Sequence, residues 1–161
     1  MALYAASPFF NYTYMGKLYN TIISYILDCL EEDAKRILQE CVDEREYEHR
    51  TKNLYDSYGY GIYLNGRLKR KGYLSTSPQA TEKKKWYGRV VKGRTEISKY
   101  LRSGYSPGNG IELITVAAMP YAEILEDGSG RLRRSYRVIT MSFQKLTDIS
   151  KMYNGKVKII R

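Results

Sequence analysis

The sequence is poor in the residues that most reactive or metal-binding sites need. It has two cysteines, Cys29 and Cys41, and a single histidine, His49, in 161 residues. Both cysteines fall within one helical pattern, which predicts buried thiols in a reducing compartment rather than a disulfide. His49 lies in a charged stretch with no second histidine and no cysteine beside it, so we predict no metal site.

Motifs for cofactors, nucleotides and membranes are missing as well. Residues 59–64, GYGIYL, fail the dinucleotide fingerprint because Leu64 occupies the place of the third glycine. There is no Walker motif and no Gly-x-Ser-x-Gly. No apolar run approaches a membrane span, and the N-terminus lacks the basic start and continuous apolar segment of a signal peptide. We therefore predict no cofactor, no membrane contact, and a chain made and kept in the cytoplasm or in a particle assembled there.

One short element resembles part of a catalytic site. Residues 74–77, Leu-Ser-Thr-Ser, are similar to the Ser-Thr-Ser element of ADP-ribosyltransferases. That family also needs a Glu-x-Glu element, whereas here Glu123 and Glu126 stand three positions apart instead of two. We predict that the chain is not an enzyme, and a small ADP-ribosyltransferase-like enzyme is kept as an alternative.

Charge and tyrosine are the two abundant features. The formal net charge is +10, but residues 1–50 carry five basic and nine acidic residues, while residues 51–161 carry 22 and eight. A chain that is acidic at one end and basic at the other can attract copies of itself head to tail, or the basic part can attract an acidic neighbour such as nucleic acid. The alternative is a solvated basic surface that only aids solubility. The 17 tyrosines suit partly wet interfaces, or else a tyrosine-rich core.

Residues 1–15 are aromatic without a helical period, and Pro8 disfavours a long helix there. They predict an N-terminal arm that packs either on a neighbouring subunit or on its own domain. The candidate interface residues of this arm are Tyr4, Phe9, Phe10, Tyr12 and Tyr14.

The remainder, residues 16–161, is predicted to be one α+β domain. Apolar residues spaced three and four apart predict a helix from Gly16 to Val42. We expect its buried face to contain Ile22, Ile26, Leu30 and Ile37. A long N-terminal helix and a C-terminal helix, Ser142–Met152, would pack on an antiparallel sheet, and a short helix, Thr95–Arg102, would be capped by Thr95. The predicted strands are Tyr58–Leu64, Leu68–Leu74, Ile111–Met119 and Tyr136–Thr140, with a type I′ turn at Asn65-Gly66.

Two basic groups are candidates for contact with DNA or with an acidic partner. The first lies in residues 75–89, which are predicted to form a loop and in which three lysines precede Trp86 and Tyr87. The second is the basic segment 131–134. Basic and aromatic residues together can contact phosphates and stack on bases; a basic loop with one packed tryptophan is the alternative. The candidate residues of the two groups are Lys83, Lys84, Lys85, Arg131, Arg133 and Arg134.

Two segments carry a resemblance to a known family. Residues 51–57, TKNLYDS, lead into the predicted hairpin, and the later apolar strand is followed by Pro120-Tyr121-Ala122 and Glu126. This order resembles the tail-completion (head–tail joining, neck) proteins of long-tailed bacteriophages, in the form found in phages or prophages of Bacteroidetes-type hosts. Lys52 and Leu125 stand where that family usually has glycine and valine.

The resemblance implies a structural protein of the virion, made in the host cytoplasm and without enzyme activity. It implies a homo-oligomeric ring, of six or twelve copies, in the phage neck. Its expected partners are the head connector or adaptor and the tail tube or tail terminator, with packaged DNA as a further contact. A basic nucleic-acid-binding protein is the other alternative.

Overall fold

A computed structural model of the chain describes residues 12–44, 57–74, 85–86, 89–90, 92–118, 122, 125 and 140–152. Within them lie three α-helices and five strands: α1 (Tyr12–Asp43), β1 (Tyr58–Leu64), β2 (Arg67–Tyr73), β3 (Lys85–Trp86), β4 (Arg89–Val90), α2 (Gly93–Lys99), β5 (Ile111–Ala117) and α3 (Thr140–Met152). The predicted α+β class, with an N-terminal helix, an antiparallel sheet and a C-terminal helix, is confirmed.

β1 is the central strand of a three-stranded antiparallel sheet with the order β2-β1-β5. The predicted hairpin turn is present, since Asn65 and Gly66 have φ angles of 48° and 78°, both positive as a type I′ turn requires. Asn65 also joins this turn to β5: its backbone N–H donates to the Gly110 carbonyl at 2.8 Å, and its Oδ1 accepts from Gly110 N–H at 3.0 Å.

Helices cover both faces of this sheet. On one face, Tyr58, Tyr60 and Ile62 of β1 pack with Leu38 and other buried residues of α1. On the other face, Tyr63 packs with Ile97 of α2 and with Leu101, which lies in a π-helical turn, Tyr100–Gly104, that continues α2. β1 alternates its side chains between two apolar layers and is therefore buried along nearly its whole length.

α3 packs on the second half of α1. Ile37 and Cys41 of α1 contact Ile149 of α3 in a small apolar cluster. Lys145 lies beside it, with its Nζ 2.9 Å from a carboxylate oxygen of Glu40 and 2.9 Å from one of Glu44. α1 is thus held between the sheet and α3 along its C-terminal half.

Several predicted boundaries are corrected by the structure. α1 begins at Tyr12, so Tyr12 and Tyr14 belong to the helix and not to an arm. Pro8 precedes the helix and does not interrupt it, because proline is harmful only inside a helix. β2 lies one residue earlier than predicted. α2 begins at Gly93, so Thr95 lies inside its first turn and the cap position belongs to Lys92.

Two further segments differ from the prediction. Part of the predicted loop 75–89 contributes to the short antiparallel pair β3–β4, in which the backbone of Trp86 pairs with that of Arg89. Aromatic and β-branched residues on either side of Gly88 in the sequence favour such a pair. Thr140, predicted to end a strand, begins α3 instead. The rest of that predicted strand and Met119, the predicted end of β5, lie outside the described residues.

Candidate assembly surface

The first half of α1 carries an exposed apolar face. Its members, called the α1 stripe below, are the exposed large hydrophobic residues of the part of the chain that the structure describes: Met15, Leu18, Tyr19, Ile22 and Tyr25. Tyr25 is 70% exposed and Ile22 is 48% exposed. Every residue from Met15 to Ile22 is exposed, so these turns of α1 extend beyond the sheet and α3.

The exposure of Ile22 corrects the predicted helix face. Leu30 and Ile37 are buried as expected and Ile26 is half-buried, but Ile22 is not. At 100° per residue, the α1 stripe points about a third of a turn away from the buried residues Leu27, Ala34 and Leu38. α1 therefore has two apolar faces in different directions rather than one continuous face.

A polar cluster fixes α1 on the sheet just beyond the stripe. The Tyr60 hydroxyl donates to Glu31 Oε1 at 2.9 Å. Arg70 of β2 bridges two acidic residues of α1, with its Nη2 3.2 Å from Asp28 Oδ1 and its Nε 3.6 Å from Glu31 Oε2. Lys35 adds an ion pair to Glu31 at 2.9 Å. These contacts orient the helix, and with it the α1 stripe, relative to the sheet.

The electrostatics of this cluster favour an ionised Glu31. The hydrogen bond from Lys35 lowers the pKa of the Glu31 carboxyl, partial burial opposes that effect, and the Tyr60 hydroxyl and Arg70 lower the pKa further. Burial first, and the adjacent Glu31 carboxylate second, raise the pKa of Tyr60 far above its usual range. Tyr60 is therefore a hydrogen-bond donor at every physiological pH.

We expect the Glu31→Gln variant to lose part of the acid sensitivity of the fold. Because the pKa of Glu31 is lowered in the folded chain, its contribution is present above the ordinary value of 4.5 and is lost as pH falls through the folded value. We expect ionised Glu31 to contribute about 1 kcal/mol to the free energy of unfolding at pH 7, a small value because the group is partly exposed. Urea unfolding at pH 7 and pH 3 measures it. Glu32→Gln, at an exposed neighbouring position, is the control, and an equal pH response in Glu31→Gln and the unchanged chain would contradict the assignment.

The tyrosines of the described chain range from buried to exposed, and Tyr73, Tyr100 and Tyr105 lie between the two extremes. Tyr58, Tyr60 and Tyr63 are almost fully buried, which fits the tyrosine-rich core, while Tyr19 and Tyr25 are exposed. The Tyr63 hydroxyl donates to the Leu101 carbonyl at 2.6 Å. Burial raises the pKa of Tyr63 to about 12, so it stays protonated and structural. The exposed pair forms part of the α1 stripe.

The two cysteines are both thiols, as predicted. Cys41 is buried against Ile149, as expected, whereas Cys29 is only partly buried. Cys29 lies seven residues after Ile22, at the end of the α1 stripe nearest the sheet. It is therefore the one thiol of the chain positioned to report on contacts of the stripe.

Most predicted site residues fall outside the described part of the chain. This holds for Tyr4, Phe9, Phe10, Lys83, Lys84, Arg131, Arg133 and Arg134, and for residues 75–77, Glu123, Glu126 and His49. Tyr12 and Tyr14 lie on α1 and Lys85 lies on β3, but only their backbone is described. Contact of the basic groups with DNA or an acidic partner, and the arm interface, stay predictions.

Of the α1 stripe, sequence reasoning singled out Ile22 and expected it to be buried, and it did not identify Tyr19 or Tyr25. A usable signal was present: the apolar residues up to Tyr25 recur at one helical phase, and from Leu27 onward the phase changes. β2 is an edge strand of the described sheet, with the cations Arg67, Lys69 and Lys71 exposed to solvent.

Comparisons with known proteins find no counterpart of this chain: no family model, no curated protein and no solved structure matches it. Among the described residues, no group of three or more His, Cys, Asp or Glu is placed to hold a metal ion. None of the described helices combines the length and the apolar character needed to cross a membrane.

Proposed function

We propose that the chain is a structural subunit of a phage neck, which assembles as a ring and joins the head connector to the tail. The α1 stripe is the observation that supports an assembly role: large apolar side chains exposed together on one projecting helix mark a surface that binds another protein. The phage assignment is supported by the resemblance of residues 51–57 and 111–126 to tail-completion proteins. The proposal makes the protein a virion component without catalytic activity.

Charge would guide the ring contacts. The acidic end of the chain, residues 1–50, meets the strongly basic remainder of the next copy when subunits are arranged head to tail. The cations on the edge of β2 leave positive surface for packaged DNA, or for an acidic connector or tail protein. The aromatic arm, with Tyr4, Phe9 and Phe10, would supply apolar anchors to the same contact.

We expect closed rings to form at low salt and to dissociate as salt rises, because exposed charge pairs are screened within about 10 Å at 0.1 M. Mass measurement and particle imaging across a salt series test this. A variant lacking residues 2–11, which leaves α1 intact, should remain folded and form no rings.

Two outcomes would overturn the proposal. One is a folded protein that forms no closed ring at any salt concentration. The other is transfer of label from NAD to proteins that is lost in Ser75→Ala or Glu126→Ala, which would establish the ADP-ribosyltransferase alternative.

A further inference from the structure

We infer that the free chain forms a two-fold dimer in which the α1 stripe packs antiparallel against the α1 stripe of a second copy. The inference goes beyond the proposed function, since it concerns the subunit before it enters a ring. It rests on the shape, charge and extent of the stripe.

The stripe has the spacing of a helix-packing surface. Met15, Ile22 and Cys29 recur every seven residues, and Leu18 and Tyr25 lie between them with the same interval. Such a repeat keeps one seam facing a partner helix along its length. The structure leaves the first turns of this seam exposed on all sides, so a second helix can lie along them.

The seam is self-complementary about Ile22. In an antiparallel pair centred on this residue, Ile22 meets its own copy, and Met15 lies opposite Cys29 of the second copy. Leu18 then lies beside Tyr25 of the second copy, and Tyr19 beside Ile26. Each tyrosine ring is thus placed against an aliphatic side chain, and the two-fold symmetry places every such pair in both halves of the contact.

Charge and the choice of surfaces favour a second copy as the occupant. Between Met15 and Cys29 the only charged residues are Lys17 and Asp28. At 100° per residue both lie on the side of α1 away from Ile22, so the contact desolvates no charge. In the part of the chain that the structure describes, the exposed large hydrophobic residues are all on this helix. Among the described surfaces, the one best able to cover the stripe is therefore the stripe itself.

The area suffices for a specific, reversible contact. The five large side chains of the stripe are each about half exposed or more. Because a whole aromatic side chain has about 150–250 Å² of surface, together they offer roughly 500 Å² of accessible surface on one copy. Two copies bury about 1,000 Å², which is at the lower bound for a biological interface. A contact of this size opens readily.

The dimer must open before a ring can close wherever the ring contact covers the same surface. A two-fold contact uses the same surface on both partners and ends at two copies, whereas a ring needs two different surfaces. Packing of the α1 stripes thus holds subunits in pairs until a neck partner or the charged ring contact displaces the second copy. Because the dimer is apolar and the ring contact is charged, high salt should preserve the dimer and dissolve the ring.

Cross-linking tests the antiparallel arrangement. With native Cys29 present, oxidation of Met15→Cys at 0.5 M salt should give a disulfide-linked dimer, and the additional change Cys29→Ser should abolish it. The unchanged chain should not cross-link through Cys29, since the two copies of Cys29 lie at opposite ends of the seam. Cross-linking of the unchanged chain would show a parallel arrangement and overturn the inference, as would failure of Met15→Cys to link.

Sedimentation at the same salt concentration tests the surface. Ile22→Asp should weaken the dimer at least roughly a hundredfold, because each contact would bury two uncompensated carboxylates. Ser24→Asp adds the same charge on the opposite side of α1 and should leave the dimer unchanged. Far-UV circular dichroism checks that both variants keep the helix.

Two results would overturn the inference. One is a monomeric unchanged chain at high salt, which would mean that residues 1–11 or another segment of the same chain cover the stripe. The other is an equal effect of Ile22→Asp and Ser24→Asp. Rings at low salt with no dimer at high salt would refute only the dimer, and a dimer without rings would refute only the proposed function.

Discussion

Replacing Leu38 by aspartate is expected to leave the chain unfolded at room temperature. Leu38 has no exposed surface and packs in the cluster that joins α1 to Tyr58, Tyr60 and Ile62 of β1. A carboxylate there would lose its hydration without gaining a partner, at a cost of several kcal/mol. That cost is comparable to the whole stability of a domain, which is about 5–15 kcal/mol.

Ile22→Asp is the matched control for this variant, since it makes the same chemical change on the same helix at an exposed position. We expect Ile22→Asp to keep the far-UV circular dichroism spectrum and the urea midpoint of the unchanged chain when both are measured as monomers. A similar loss of stability in the two variants would mean that the first half of α1 is packed as tightly as the second. That result would contradict the exposed stripe.

Replacing Gly72 by alanine is expected to destabilise the sheet. Gly72 of β2 lies opposite Tyr60 of β1, and a Cβ at Gly72 would overlap the Tyr60 ring. The ring cannot move aside easily, because it is buried and its hydroxyl is bonded to Glu31. Overpacking of this kind costs about 1–3 kcal/mol, and more where the neighbour is fixed.

Gly16→Ala is the control for the glycine prediction. A Cβ at Gly16 meets nothing within 4 Å, and Gly16 lies inside α1. Alanine there should therefore stabilise the helix by about 0.5–1 kcal/mol. The urea midpoints of the two variants should shift in opposite directions from that of the unchanged chain. A lower midpoint for Gly16→Ala together with an unchanged midpoint for Gly72→Ala would contradict the packing around both glycines.

The central hairpin could be predicted from the sequence because its signals are local. Asn65-Gly66 is flanked by runs of β-favouring residues, and only a few residues determine such a turn. β1 agrees with the prediction at both ends. Element boundaries were less accurate, as at Tyr12 and Thr140, because the ends of helices and strands depend on few local contacts.

The exposed face of α1 could not be predicted from the spacing of apolar residues alone. Ile22 and Leu30 both belong to an apolar pattern with helical intervals, yet one is exposed and the other is buried. Periodicity shows that a face seeks apolar contact, but it does not say whether the contact comes from the same molecule or from another. That distinction depends on how far the sheet reaches along the helix.

α1 can also be seen as a lever. At about 1.5 Å per residue its 32 residues span roughly 48 Å. Among the described residues its packing on the core begins near Ile23 and Ile26, while residues 15–22 are exposed. A load applied near Met15 acts at a distance from its support, so a small tilt there produces torque at the Tyr60–Glu31–Arg70 contacts. Mechanical work done on the far end of the helix would thus be felt first in hydrogen bonds and ion pairs, which can break and re-form, before it reaches the apolar core.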